Sequence, residues 1–301
     1  MSDRSTIVRA VRRAAESAAH SGRRLASWLS GGRRVLPDYL IIGAQKGGTT
    51  SLHRYLLQHP DIAPSLRKEV HYFDLHFSRG EAWYRAFFPS EREVRAHEEA
   101  TGRRLLTGEA TPFYLFHPLA PARAARVVTS ARLIALLRDP VERAYSHYRH
   151  EVRRGRETLS FREAIEREAE RLAREREAFL GGHDDRAPHH RRHSYVARGL
   201  YAEQLRRWLR YFPPDRILIL GSEAFFAAPQ LHLDRVCRFL GLPPHPAVDF
   251  PVHNPGERTA PMDPDVRAML REFFREPNRE LALLTGIDFG WDLPRTPATS
   301  P

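Results

Sequence analysis

The stretch PDYLIIGAQKGGTTSLHRYLLQHP, Pro37–Pro60, decides the fold of this chain. Within it, Tyr39–Gly43 is a short apolar run bounded by turn residues, which predicts a buried strand. Gly47 and Gly48 form a turn, and the leucines after them recur at helical spacing. The residues between turn and leucines carry hydroxyls that can cap a helix: Thr49, Thr50 and Ser51. The unpaired N–H groups at such a helix start favour an anion, and Lys46 adds a full positive charge, so the sequence predicts a phosphate-binding loop.

The spacing of this loop differs from that of nucleoside triphosphatases. Their loop reads G-x-x-x-x-G-K-[ST], with a lysine directly before the hydroxyl residue. Gly43 and Gly48 have the right separation, but Thr49 occupies the lysine position and Lys46 precedes the glycine pair. The stretch QKGGTTSL instead resembles the 5′-phosphosulfate loop of sulfotransferases that use 3′-phosphoadenylyl sulfate (PAPS), most of all the heparan-sulfate glucosaminyl 3-O-sulfotransferase group and its bacterial relatives. The resemblance implies a catalytic role for Lys46 and cosubstrate binding by the loop residues Lys46, Gly47, Gly48, Thr49, Thr50 and Ser51.

The basic residues of the chain are almost all arginine. Lysine and arginine together number 48, yet the only lysines are Lys46 and Lys68. A lysine that persists against such a bias indicates a position where a compact ammonium serves better than a planar guanidinium. Both lysines lie in stretches that other signals select for chemistry.

The second of these stretches, Lys68–Asp74, reads KEVHYFD. It holds four ionisable groups in seven residues, which by themselves are also compatible with a solvated charged turn. It resembles the K-E-x-H-x-F-D segment of the 3-O-sulfotransferases. The resemblance implies that Glu69 is the catalytic base, that His71 also belongs to the catalytic set, and that the acceptor-binding residues are Lys68, Glu69, His71 and Asp74. Adjacent residues of an extended segment point to opposite faces, so we expect Lys68 and Glu69 to contact different partners.

A third stretch, RLIALLRDPVERAYSHYRH, begins with the apolar run Leu133–Leu137, which predicts a central parallel strand. An arginine at the carboxyl end of such a strand is well placed to bind phosphate, although an ion pair of Arg138 with Asp139 or Glu142 is the local alternative. The pattern R-D-P-x-x-R-x-x-S-x-Y resembles the sulfotransferase 3′-phosphate loop, which implies nucleotide binding by Arg138 and Ser146.

Other segments also resemble the family, but their motifs are less specific. Gly199–Phe212 predicts an amphipathic helix, in which Tyr201 either faces the nucleotide or packs in the core. Asn254–Thr259 takes the place of the family's basic loop over adenosine and 3′-phosphate, which implies cosubstrate binding by Arg258, but the Lys-Gly-Arg signature of that loop is missing. Ala110 follows Glu109 where the 3-O-sulfotransferases carry a lysine, and this departure weakens the case for a heparan-like acceptor.

Composition limits the remaining interpretations. The formal charge of +11 suits an anionic partner, but no nucleic-acid-binding motif accompanies it, so we expect no nucleic-acid partner. The chain has a single cysteine, Cys237, which we expect to pack in the core. A single cysteine forms no intramolecular disulfide and fits a reducing compartment, so we expect a cytoplasmic protein. No apolar run reaches the length of a membrane span, and the basic extension Met1–Leu36 would give at most weak contact with a membrane surface.

The region after the third stretch offers no clear chemistry. Ser160–Leu180 predicts one charged helix that begins with a capping box of Ser160 and Glu163. Histidines cluster between His183 and His193, but their spacing matches no known metal site, so we predict a solvated loop and no metal. We expect an N-terminal extension over residues 1–36, one sulfotransferase domain over 37–292 and a frayed tail over 293–301.

Together these patterns predict a three-layer, P-loop-like α/β fold with a mostly parallel central sheet. The resemblance implies in-line transfer of a sulfonate group from PAPS to a hydroxyl or amine of an acceptor, with adenosine 3′,5′-bisphosphate as the product. Two alternatives are a P-loop-type small-molecule kinase, which would need the missing lysine, and a basic nucleic-acid- or membrane-binding protein without catalytic activity.

Overall fold

The computed structural model describes residues 33–181, 183, 187–245, 250 and 261–291. Three predictions concern residues outside these ranges. They are the role of Arg258, most of the N-terminal extension and the C-terminal tail. In chain order, the first half of the described chain contains β1 (Tyr39–Gly43), α1 (Thr49–Leu56), β2 (Ile62–Pro64), α2 (Gly80–Arg85), α3 (Glu91–Thr101), β3 (Leu106–Ala110), α4 (Ala120–Val127), β4 (Arg132–Leu137) and α5 (Pro140–Arg153). The second half contains α6 (Phe161–Glu166), α7 (Glu168–Arg174), α8 (Arg176–Leu180), α9 (Pro188–Arg192), α10 (Tyr201–Leu209), β5 (Ile217–Gly221), α11 (Ser222–Ala227), α12 (Pro229–Leu240) and α13 (Pro264–Thr285).

The five strands of the described chain form one parallel sheet in the order β2-β3-β1-β4-β5. Because neighbours in a parallel sheet run the same way, the loops that follow β1, β3, β4 and β5 all leave from one edge. This edge receives the phosphate loop after β1 and Arg138 after β4. The predicted three-layer α/β fold is confirmed.

Helices cover both faces of the sheet. Because successive side chains of a strand point to opposite faces, the strand side chains are divided between two cores. On one face, Leu40 and Leu133 pack with residues of α4 and α10. On the other, Ile41 and Ile134 pack with residues of α1 and α12, including the buried Cys237. Strands buried on both sides explain the unbroken apolar runs in the sequence.

The region after α5 differs from its prediction. The capping box of Ser160 and Glu163 is present, but the predicted single helix is divided into α6, α7 and α8. Glu168, the first residue of α7, has a buried carboxylate that accepts the backbone N–H groups of Val196 and Ala197 and so ties α7 to a distant segment.

The predicted solvated histidine loop is right for the exposed His183 but wrong for Pro188–Arg192, which is helical. His190 is buried and stacks on Phe179 at a ring distance of 4.1 Å, and the buried His193 pairs its Nε2 with the carbonyl oxygen of Arg156. Among the described residues, no three His, Cys, Asp or Glu side chains are grouped to hold a metal ion. No helix within the same ranges is long and apolar enough to cross a membrane.

Candidate active site

The loop between β1 and α1 brings backbone close to the end of β4. A Cβ atom added to Gly47 would lie 2.4 Å from the carbonyl oxygen of Leu136, so only glycine fits there. Gly48 is the N-cap of α1 and has a φ of 98°, in the left-handed region that glycine adopts without strain. The turn leaves the first N–H groups of α1 at the carboxyl edge of the sheet, as an anion site requires.

The three hydroxyl residues after the glycines do not cap the helix as predicted. Gly48 holds the N-cap position and offers no side chain, because the chain needs a left-handed residue there. Thr49 and Ser51 are buried. Thr50 is more exposed, and its Oγ1 accepts a hydrogen bond of 2.8 Å from Lys68 Nζ. Thr50 therefore links the phosphate loop to the Lys68–Asp74 segment.

The side chains around Lys46 give it a positively charged environment. Burial, and then the nearby guanidinium groups of Arg153, Arg138 and Arg154, lower the pKa of Lys46 to about 8. The carboxylate of Glu151 acts in the opposite direction, but each of the three arginines has a larger effect, so the surroundings of Lys46 remain positive. An anionic ligand with several phosphate or sulfonate groups would neutralise this excess of positive charge.

Arg138 meets this loop directly. Its Nη1 donates to the carbonyl oxygen of Lys46 at 3.3 Å, which places the guanidinium beside the loop. The local alternative of ion pairing is not what the structure shows. The Asp139 carboxylate caps α5 by accepting the N–H groups of Val141 and Glu142, and Glu142 pairs with Arg267.

Ser146 lies in α5, on the face that also carries His150 and Arg153 at helical intervals. The charge of Lys46 lowers the pKa of His150, after the larger effect of burial, and Arg153 acts on Lys46 in turn. This face of α5 is therefore turned towards the phosphate loop. No motif in the sequence marks His150, Arg153 or Arg154, although the first two follow Ser146 by four and seven residues.

Tyr201 packs in the core, which is one of the two placements that the sequence left open for it. Its side chain is 1% exposed, and its hydroxyl donates to the carbonyl oxygen of Arg138 at 2.8 Å. It packs against Trp291 at a ring distance of 5.9 Å. Tyr201 thus supports the backbone of the arginine from within the core.

The Lys68–Asp74 segment forms a continuous chain of charged contacts. Asp74 is buried and lies 2.6 Å from His71 Nδ1, and His71 Nε2 lies 3.4 Å from Glu69 Oε2. Glu69 Oε1 accepts from Lys68 Nζ at 3.0 Å. The prediction that Lys68 and Glu69 would avoid each other is therefore wrong, because Lys68 lies at a bend rather than in an extended strand and its side chain turns back.

These contacts fix the charge of each group. Burial would lower the pKa of His71, but the Asp74 carboxylate and then Glu69 outweigh it and raise the pKa to about 10. Burial would raise the pKa of Glu69, but His71 and Lys68 outweigh it and lower the pKa to about 2. The Glu69 side chain remains 40% exposed. At neutral pH it is an accessible carboxylate, held in place by two cations.

His71 joins this chain of charged contacts in an uncommon backbone conformation. Its φ is 58°, in the left-handed region that non-glycine residues seldom adopt. In this conformation the ring bridges Glu69 and Asp74 instead of pointing away from one of them. Left-handed residues of this kind cluster at functional sites.

Comparisons with known proteins agree with this geometry. The family model described as "Sulfotransferase domain" matches residues 36–252. Human heparan sulfate glucosamine 3-O-sulfotransferase 3B1 is 33% identical over 89% of this chain and 68% of its own length. Human bifunctional heparan sulfate N-deacetylase/N-sulfotransferase 3 is 32% identical over 83% of this chain and 30% of its own length. A sulfotransferase from Alicyclobacillus acidocaldarius has the same fold, with a TM-score of 0.64, 32% identity, and coverage of 85% of this chain and 99% of that one. The chain therefore belongs to the sulfotransferase family of enzymes.

Proposed function

We propose that this sulfotransferase takes its sulfonate group from PAPS and transfers it to a hydroxyl or amine of a carbohydrate. The main support for the cosubstrate is the contact between Arg138 and the backbone of Lys46. It joins the two loops that would hold the 5′-phosphosulfate and the 3′-phosphate, and ATP has no 3′-phosphate for the second loop.

The residues of the phosphate loop fit this cosubstrate. Gly47 and Gly48 leave room where a Cβ would meet Leu136 or Phe226, and Lys46 lies in surroundings with an excess of positive charge. Lys46 and the first N–H groups of α1 would hold the 5′-phosphosulfate, together with Thr49, Thr50 and Ser51. Arg138 and Ser146 would bind the 3′-phosphate. PAPS supplies the activated sulfonate group when bound.

Glu69 would act as the general base. Its carboxylate is ionised at neutral pH, and 40% of its side chain is exposed to an incoming acceptor. His71 and Asp74 would keep that carboxylate oriented. Lys68 bridges Glu69 and Thr50, so it stands between the acceptor side and the phosphate loop. Lys46 would neutralise the charge that develops on the bridging oxygen as sulfur is attacked.

The proposal that the acceptor is a carbohydrate is supported by two relatives, one named as an O-sulfotransferase and the other as an N-sulfotransferase of heparan sulfate. They leave hydroxyl and amine acceptors both open. The cytoplasmic location expected from the sequence stays a prediction.

The proposal is tested by calorimetry of nucleotide binding. Adenosine 3′,5′-bisphosphate should bind at least tenfold more tightly than ATP or AMP, because only it offers phosphate groups to both loops. Equal or tighter binding of ATP would overturn the PAPS assignment. A mass-spectrometric screen of amino sugars and heparan sulfate oligosaccharides, incubated with enzyme and PAPS, would identify the acceptor by the added sulfonate group.

A further inference from the structure

A fully buried carboxylate lies behind the Lys68–Asp74 segment and outside the reaction proposed above. Glu109, in β3, is 0% exposed and accepts four hydrogen bonds. Oε1 accepts from the hydroxyls of Tyr84 at 3.0 Å and Tyr114 at 2.7 Å. Oε2 accepts from Thr111 Oγ1 at 2.5 Å and from the backbone N–H of Val70 at 3.2 Å.

The partners of Glu109 reach further into the catalytic segment. The backbone N–H groups of Tyr72 and Phe73 donate to the Tyr114 hydroxyl at 2.8 and 3.4 Å. The backbone N–H of His71 donates to Thr111 Oγ1 at 3.3 Å. Four consecutive N–H groups, from Val70 to Phe73, therefore end on Glu109 or on a hydroxyl that itself donates to Glu109.

The direction of these bonds makes the network depend on its carboxylate. A hydroxyl that accepts from a backbone N–H is free to donate its own hydrogen onward, and both Thr111 and Tyr114 donate to Glu109. Burial raises the pKa of Glu109 to about 7, against the lowering effect of its hydrogen bonds, and above that pH the ionised carboxylate only accepts, so it satisfies all four donors at once. Tyr84, Tyr114 and Thr111 are buried, so water does not replace a lost bond easily.

We propose that Glu109 is a positioning residue of the catalytic segment: through Thr111 and Tyr114 it fixes the backbone that aims Glu69 and His71. This inference rests on the proposed function in so far as Glu69 is the base. Residues 70–73 form no sheet or helix hydrogen bonds of their own through these N–H groups, so side chains from β3 and the turn after it take that role.

The two tyrosines on Glu109 offer a matched pair of variants. Both are 0% exposed and both donate to Oε1, but only the Tyr114 hydroxyl also accepts from the catalytic segment. Tyr84→Phe and Tyr114→Phe therefore remove the same type of bond to the same oxygen. Only Tyr114→Phe leaves the N–H groups of Tyr72 and Phe73 without an acceptor.

Hydrogen exchange measured by mass spectrometry tests the positioning without any acceptor. In Tyr114→Phe, the amides of Tyr72 and Phe73 should exchange at least tenfold faster than in the parent, while Tyr84→Phe should change them less than threefold. Adenosine 3′,5′-bisphosphate should bind both variants with unchanged affinity, since its loops are untouched. Equal exchange in the two variants would overturn the inference.

The rate of transfer from PAPS to heparan sulfate, or to the acceptor found in the screen, gives the second readout. Tyr114→Phe should lower kcat at least tenfold with little change in the KM for PAPS, and Tyr84→Phe should stay within threefold of the parent. Thr111→Val should lower kcat and Thr111→Ser should restore it, because serine keeps the hydroxyl. Loss of kcat in Thr111→Ser equal to that in Thr111→Val would contradict the role of the hydroxyl bond. A parent enzyme with no transfer to any acceptor would refute the proposed function, whereas the exchange result would still decide the inference.

Discussion

Lys46 shows how the surroundings of one residue can set the pH range of binding. Burial and three neighbouring arginines lower its pKa to about 8, so its charge is present below that pH and is lost as pH rises through it. We therefore expect the affinity for adenosine 3′,5′-bisphosphate to fall between about pH 7.5 and 9, a range in which phosphate groups, with a second pKa of about 6, no longer titrate.

Titration calorimetry at a series of pH values measures this dependence. Lys46→Arg is the matched variant, since arginine stays charged throughout the range. Its affinity should be independent of pH, whatever its absolute value. A parent affinity that stays constant up to pH 9 would show that Lys46 does not titrate there or does not bind the nucleotide.

Glu69 is the residue on which the proposed chemistry depends most. Glu69→Gln keeps the shape and removes the proton acceptor, so kcat should fall about 10²–10⁴-fold, as for other general bases. Nucleotide affinity should remain unchanged, because Glu69 lies outside the phosphate loop. Steady-state kinetics and calorimetry together provide the measurement. Glu81→Gln, an exposed change in α2, serves as the control. A rate within tenfold of the parent in Glu69→Gln would show that Glu69 is not the base.

At the scale of the element, strand β4 has an arginine at each of its ends. Arg138 follows its carboxyl end and contacts the phosphate loop, while Arg132 begins the strand at the opposite edge and lies over the ring of Phe239. Arg138→Ala should therefore weaken binding of adenosine 3′,5′-bisphosphate by about 2–5 kcal/mol, the range for a lost buried charge contact. Arg132→Ala should leave it unchanged. A titration that shows a loss of only about 1 kcal/mol for Arg138→Ala would indicate a surface contact.

At the scale of the whole molecule, the sheet is stabilised by two separate cores. Leu133 and Ile134 are neighbours in β4 and are both 0% exposed, yet they pack into different clusters on opposite faces. Leu133→Ala and Ile134→Ala should each lower the free energy of unfolding by about 2–5 kcal/mol. Leu283→Ala, at a side chain that is 79% exposed, should change it by less than about 0.5 kcal/mol. Urea denaturation would measure all three, and a small loss at either strand position would contradict a sheet covered on both faces.

The sequence by itself was enough to predict the two strands that carry the site and the loops that follow them. Strand β1 begins and ends at the predicted residues, and the apolar run of β4 is followed by Arg138 as expected, because strands buried on two faces leave a local signal that needs no knowledge of distant residues. The turn at Gly47 and Gly48 is equally local. The close approach of Gly47 to Leu136 explains why the chain needs glycine there.

Only the tertiary structure decided the contacts that join distant segments. Lys68 meets Glu69 and Thr50 because the segment bends, and Tyr201 supports Arg138 from the core; neither contact leaves a periodic pattern in the sequence. Glu168, within the region predicted as one helix, accepts backbone N–H groups from residues almost thirty positions away. Glu109 receives donors from residues 70 to 114, and its importance depends on all of them meeting at one buried point. Burial removes water as the alternative partner, so the fold determines which polar groups must pair.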